Sequence, residues 1–406
     1  MSNAHQASDL AQMQALPLEA KERMSTERIK VWFESWTRFE IYDMATKKTR
    51  FATIETRSYQ ASPTLKGREY IVSEIKGQVY VSFSGGKDST VLADLCAKFC
   101  QQYGYTLYLL FVNTGLEYPE IQKFVKVFAE WLRTTYEIEV VLDIVRPEMR
   151  FDEVIKKYGY PAISKEVSQQ LYEIRKSAEL HSIAPRATKP YNRKFNPESD
   201  YCKKHPSFCM QQWEFLIDAD FNLSHMCCFV MKKIPSKKYE KETGRKPILG
   251  TLAQESRLRR TQWLIHGCNA FEKDRPTSQP LSFWTKQDIL HYLKKYSIPY
   301  CSVYGDIVID DATALEGQLN LIDALGDYEP EDRLKTTGCD RTGCIFCMFG
   351  CHLQKGANDF QRLKQTHPRQ YEYCIGGGEM VDGKWQPSKE GLGLGKVLDY
   401  IGVKYD

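Results

Sequence analysis

The sequence predicts an α/β protein whose core is a parallel sheet covered by helices on both faces. Three observations predict it: short apolar runs at 79–83 (VYVSF), 107–112 (LYLLFV) and 138–145 (IEVVLDIV), helical spacing between them, and a glycine-rich turn directly after the first run. Val91, Leu92, Leu95 and Phe99 recur at helical spacing over 87–103, and Gly104 supplies the stop. Residues 119–132 read as a second helix with a proline in its first turn. Parallel strands need crossover connections, and ligands of such sheets bind at the carboxyl ends of the strands, beside the first strand-to-helix turn. Elsewhere the pattern predicts a helix over 25–36, strand-like fragments such as 50–56, a helix from Ser164 to about 175, and a short strand over 247–251 leading to a helix near Ala253. A Thr285-x-x-Asp288 capping signal opens a further helix over 289–293. The expected organisation is an N-terminal arm over 1–75, an α/β domain with the glycine-rich turn over 76–300 and a cysteine-bearing C-terminal subdomain over 301–406.

Composition narrows the class. With 406 residues, 42% hydrophobic and 27% charged, the chain has the length of two or three globular domains. No run approaches the ~20 apolar residues that span a bilayer, and the N-terminal stretch is polar. A membrane protein and an exported one are therefore disfavoured, and a cytoplasmic location is expected. Thirteen cysteines, an odd number, then point to metal or redox chemistry ahead of disulfides. Charge is concentrated between residues 186 and 260, with 16 Lys or Arg against 8 Asp or Glu. Such a segment suits an anionic partner, a nucleotide polyphosphate or a nucleic acid backbone, or forms a solvated basic surface.

The strongest local signal is SGGKDS at 84–89, between the first strand and the first helix. Gly85 and Gly86 let the backbone turn tightly, helix amides point outward, and Ser84, Ser89 and Thr90 add hydroxyls. This is a phosphate-binding arrangement, with Lys87 beside it. It is not a Walker A loop, which needs four residues before its Gly-Lys-Ser/Thr. Asp88 is placed either to hold Mg²⁺ on the phosphates or to cap the helix.

SGGKDS after a strand resembles the pyrophosphate loop of the PP-loop ATP pyrophosphatases, and the chain beyond it resembles the phosphoadenosine phosphosulfate reductase family of that superfamily. The resemblance rests on NTGLEYPE at 113–120, GYPAISK at 159–165, Cys227-Cys228 with Lys232-Lys233, GTLAQES at 250–256 with Arg257 and Arg260, PL at 280–281 with WTKQD at 284–288, and GCIFC at 343–347. It implies a Rossmann-like fold of the adenine nucleotide alpha hydrolase type, with ATP or phosphoadenosine phosphosulfate at the loop. Asn113, Thr114, Gly115, Lys165, Arg257 and Arg260 are then expected at the nucleotide beside residues 84–90, with Lys87, Asp88 and Arg257 in catalytic roles.

A tandem Cys-Cys with a distant Cys-x-x-Cys resembles the four-iron cluster signature of the adenylylsulfate-reducing branch, which implies a 4Fe-4S cluster on Cys227, Cys228, Cys344 and Cys347. By spacing alone, Cys339, Cys344, Cys347 and Cys351 compete as a local zinc site. The intact loop resembles members that cleave ATP to an adenylated intermediate and pyrophosphate. The family's Glu-Cys-Gly-Leu-His tail is absent, and Cys374 is the one late thiol. Sulfonucleotide reduction through Cys374 or an external thiol is the first alternative. The second is a nucleic-acid-associated accessory protein: Tyr191, Phe195 and Tyr201 among Arg193, Lys194 and Lys203 suit a phosphate backbone, and DNA sulfur modification proteins resemble this family.

Overall fold

The computed structural model describes residues 5–53, 64–65, 68–75, 77–310, 333–354 and 356–406. Of the strand-like stretch at 50–56, Ile54, Glu55 and Thr56 lie outside the described residues. The fold is α/β, with two compact units, each assembled from separate stretches of chain. Met1–Val112, Tyr118–Val145 and Lys237–Thr342 form the first; Asn113–Glu117, Arg146–Ser236 and Gly343–Asp406 form the second. Neither is one of the consecutive blocks read from the sequence, because local composition does not reveal which distant segments return to pack together.

A six-stranded sheet organises the first unit. Its order is Asn269–Ala270, Thr277–Ser278, Lys246–Ile248, Val79–Ser82, Leu107–Val112, Val140–Val145, parallel throughout except for the antiparallel Asn269–Ala270 edge. Val79–Ser82 is the switch point. The next two strands in sequence lie on one side of it and the later ones on the other, so the turn after Ser82 opens where ligands of such sheets bind. Helices Lys87–Tyr103 and Pro119–Tyr136 follow the first two strands. Gly104 closes the former in the left-handed region at φ 68°, a conformation that costs glycine little. Val79, Val81, Val91, Leu92, Phe99, Leu109 and Phe128 fill one core without exposure beyond 1%.

The first long helix, Leu18–Ser35, begins seven residues before the expected start. Its apolar stripe continues through Lys21, which a binary pattern counts as polar. Here Lys21 is 2% exposed, its ammonium donating to the Asp288 carboxylate at 2.7 and 2.8 Å and to the Gln14 carbonyl. Asp288 is also the acid of the expected capping box, its carboxylate accepting from the Thr285 amide. The same unit holds a four-stranded antiparallel sheet in the order Lys48–Thr53, Arg38–Asp43, Arg68–Ile75, Thr64–Leu65.

The second unit is mostly helical, with Phe151–Tyr158, Lys165–His181, Asp359–Thr366, Pro368–Ile375 and Leu394–Tyr400 among its helices. Ala162–Ile163 pairs in parallel with Met348–Phe349. The irregular stretch from Leu216 to Asn222 is gathered by one side chain. The Arg175 guanidinium donates to the carbonyls of Leu216, Ile217, Ala219 and Phe221 and to the Asn222 side chain.

Candidate functional site

The glycine loop is fastened from within before it meets any ligand. Gly85 sits at φ +72°, and a Cβ there would stand 2.9 Å from Ile121 and Val125. Ser89 and Thr90 turn their hydroxyls back onto the Gly86 carbonyl at 2.8 and 3.1 Å. Ser84 and Ser89 are 3.1 Å apart through their hydroxyls. A pocket opens in front, lined by Ser84, Gly86, Lys87, Asp88 and Ser89 with Leu249, Gly250, Thr251, Glu255, Arg259, Tyr304, Arg341 and Thr342. Gly85 and Thr90 stand behind it as supports.

Two features of this pocket suit a charged ligand. The Asp88 Oδ1 and Thr251 Oγ1 atoms are buried without a hydrogen-bond partner, an uncommon state for protein oxygens. Lys87 Nζ is 3.8 Å from Asp88, and burial pushes the Asp88 carboxyl up against the opposing pull of Lys87, Arg341 and Arg259. Arg259 and Arg341 share one counter-ion, Glu255, with Arg341 at 3.5 Å. Burial and then the charge of Arg341 hold the Arg259 guanidinium below its ordinary value. Two cations on one carboxylate leave the pocket short of negative charge, the condition in which a polyphosphate binds.

The expected arginines lie elsewhere. Arg257 and Arg260 line a separate pocket with Ala7, Leu10, Ala11 and Gln14. The reason is helical phase: Ser256 caps Arg257–His266, and it is Arg259 that turns toward the loop. Glu255, Arg259, Tyr304, Arg341 and Thr342 carry no sequence signal of their own. Of these, Glu255 sits inside a quoted segment, GTLAQES at 250–256, and Arg259 lies between the two arginines named after it.

Asn113, Thr114, Gly115 and Lys165 belong to the second unit. Glu117 organises the turn, accepting from the Thr114 amide at 3.0 Å and its hydroxyl at 2.7 Å. The Leu116 carbonyl accepts from Ile345 at 2.8 Å, which sets this turn against the Cys-x-x-Cys segment.

One pocket in the second unit is lined by Cys227, Cys228, Cys344 and Cys347, together with Lys232 and the apolar Leu116, Phe151, Pro161, Met231 and Phe346. Cys227–Cys228 end a helical turn that widens into a π-turn at Phe229–Lys233, a distortion frequent at functional sites. The sulfurs of Cys227 and Cys228 are 3.9 Å apart. The Cys227 thiol and then the charges of Lys165 and Lys232 favour the thiolate at Cys228, while burial holds the Cys344 and Cys347 thiols up, Cys347 to about 12. Burial alone would lower Lys232, but Cys344, Glu117 and Cys228 outweigh it and hold the ammonium above its ordinary value. Among the described residues no three His, Cys, Asp or Glu side chains stand at metal-binding spacing. Neither rival cysteine lines this pocket. Cys339 belongs to the first unit, and Cys351 is buried with its thiol on the Met348 carbonyl at 3.0 Å.

A model of the phosphoadenosine phosphosulfate reductase domain matches residues 78–348. The chain belongs to the phosphoadenosine phosphosulfate reductase family. The matched span takes in the loop, its pocket and all four converging cysteines. An uncharacterized protein of Methanocaldococcus jannaschii is 26% identical over 320 residues, which is 77% of this chain and 46% of that protein. The chain thus spans about half the length of the curated relative it matches.

Two further expectations meet the structure here. Cys374 is fully buried, and burial raises its thiol well above the ordinary value. The basic and aromatic residues of the 186–204 segment largely have partners within the protein: Arg186 on Glu214 and Asp218, Tyr191 on Glu214, Lys194 on Glu166 and Tyr201, and Arg193 over the Tyr201 ring. Phe195 is buried. No described helix is long and apolar enough to cross a membrane.

Proposed function

We propose that this member of the phosphoadenosine phosphosulfate reductase family binds ATP at the 84–89 loop and cleaves it to an adenylated intermediate and pyrophosphate, in sulfur-related chemistry that also uses the four-cysteine pocket. The observation that carries the reading is the two buried oxygens, Asp88 Oδ1 and Thr251 Oγ1, that lack a hydrogen bond and face a pocket with Lys87, Arg259 and Arg341. In this reading the loop and helix N-terminus hold the β- and γ-phosphates. An acceptor oxygen or sulfur attacks the α-phosphorus. The bond to the bridging oxygen breaks, and pyrophosphate leaves with the electron pair while the cationic side chains stabilise its growing charge. Asp88 suits Mg²⁺, since its orphaned Oδ1 is a hard oxygen donor; when bound, the ion neutralises phosphate charge.

The cysteine pocket offers four sulfurs against apolar walls, a donor set that fits a 4Fe-4S cluster, with zinc as the rival. Cys227, Cys228, Cys344 and Cys347 would hold it, and the cluster would supply electron or sulfur transfer. Lys165 and Lys232 offset the negative charge that four thiolates bring. Reduction of a sulfonucleotide is the lesser reading, because the usual nucleophilic thiol has no counterpart in the buried Cys374. The test is anaerobic purification followed by assay of pyrophosphate release from ATP. A brown, iron-containing protein that releases pyrophosphate supports the reading; a colourless protein without turnover refutes it.

A further inference from the structure

Two of the phosphate loop's donors, both on Lys87, are already occupied, and the occupant is a short strap with the tyrosine it rests on. Lys87 Nζ donates to the Asp340 carbonyl at 2.9 Å, and the Lys87 amide, one of the free amides at the helix start, donates to Tyr304 Oη at 3.0 Å. Tyr304 Oη is in turn 2.8 Å from Thr342 Oγ1. Gly86 is pressed from the same side, since a Cβ there would stand 2.9 Å from Thr342 Oγ1. The strap is stitched down by backbone bonds from Thr337 to Asp306, Gly338 to Tyr304 and Cys339 to Val303, at 2.8–3.0 Å. Lys286 holds the Asp340 carboxylate at 3.0 Å. Lys87 is only 3% exposed. A phosphate needs the same ammonium and the same amide.

We propose that the Asp340 carbonyl and the Thr342 hydroxyl gate the phosphate loop: polyphosphate must displace the Asp340 carbonyl from Lys87 before it binds, while Arg341 between them stays at the pocket to meet it. The proposal rests on the nucleotide reading above. It makes the strap a competitor for the site, so loosening it strengthens binding. Thr342→Val removes the hydroxyl that meets Tyr304 and leaves every loop residue intact. Gly338→Ala pushes the strap from below, because a Cβ would stand 2.4 Å from the Val303 carbonyl.

The experiment is calorimetric titration of ATP and of AMP into the wild type and both variants, with folding checked by circular dichroism. The expected result is ATP affinity increased about three- to tenfold in each variant, the scale of one hydrogen bond, with AMP affinity unchanged because AMP lacks the β- and γ-phosphates. ATP binding at equal or lower affinity in both variants overturns the gate while leaving the nucleotide reading intact, and so does an equal gain for AMP. Absence of ATP binding by any of the three proteins overturns the nucleotide reading and the gate with it.

Discussion

Gly250 offers a sharp test of how the loop is built. A Cβ at this position would stand 2.9 Å from the Asp88 carbonyl oxygen and 3.1 Å from both the Asp88 carbonyl carbon and the Ser89 Cα. All three neighbours are main chain, so no side chain can swing aside. Relief requires a shift of about 0.3–0.5 Å in the first turn of the loop helix, and overpacking of this kind costs about 1–3 kcal/mol. In Gly250→Ala the strain is either borne or relieved. If borne, it lowers unfolding free energy; if relieved, it moves the Asp88 peptide and lowers nucleotide affinity, by about 5- to 160-fold when the whole cost falls on binding. Denaturant unfolding and ATP titration on the same preparation read the two parts. Both quantities unchanged within about 0.5 kcal/mol, the scatter of an ordinary surface substitution, would refute the close approach.

Three other outcomes are expected. Arg175→Leu leaves four main-chain carbonyls around residues 216–221 without this donor and should cost about 1–3 kcal/mol, seen as early proteolysis in that stretch; unchanged protection would count against the staple. Cys347→Ser should abolish metal content in anaerobically purified protein and Cys351→Ser should preserve it, and the reverse pattern would reassign the ligands. Arg186 holds the Glu214 and Asp218 carboxyls below their ordinary values, so their stabilisation is present above about pH 4.5 and is lost as pH falls through the lowered values. Arg186→Ala should therefore destabilise at pH 7 by under about 1 kcal/mol, these being exposed pairs, and by progressively less as the pH falls through the lowered values; a larger loss in acid would contradict the sign.

The parallel sheet was legible because its central strands, Val79–Ser82 and Leu107–Val112, are largely buried and read as unbroken apolar runs, and the loop because two glycines follow such a run. The beginning of the first long helix was not. Lys21 belongs to the buried face only because Asp288, 267 positions later, takes its charge. The loop residues from 84 to 89 were readable as a site from one contiguous motif, but the pocket's other wall comes from 249–259, 304 and 341–342. Sequence offers no register for segments so far apart. Arg257, Arg259 and Arg260 look alike in a string of letters, and only the helix phase set by the Ser256 cap separates them.

The hold on Lys87 comes from the main-chain carbonyl of Asp340, not from its side chain. Every residue type carries that oxygen. The contact on Lys87 therefore does not depend on which side chain stands at 340. Its presence is set by the path of the backbone, and so by whatever fixes the ends of the strap. Substitutions that alter nucleotide response can therefore arise at Gly338 or Gly305, where a side chain would collide with the neighbouring turn, without any change in the residues that touch the ligand.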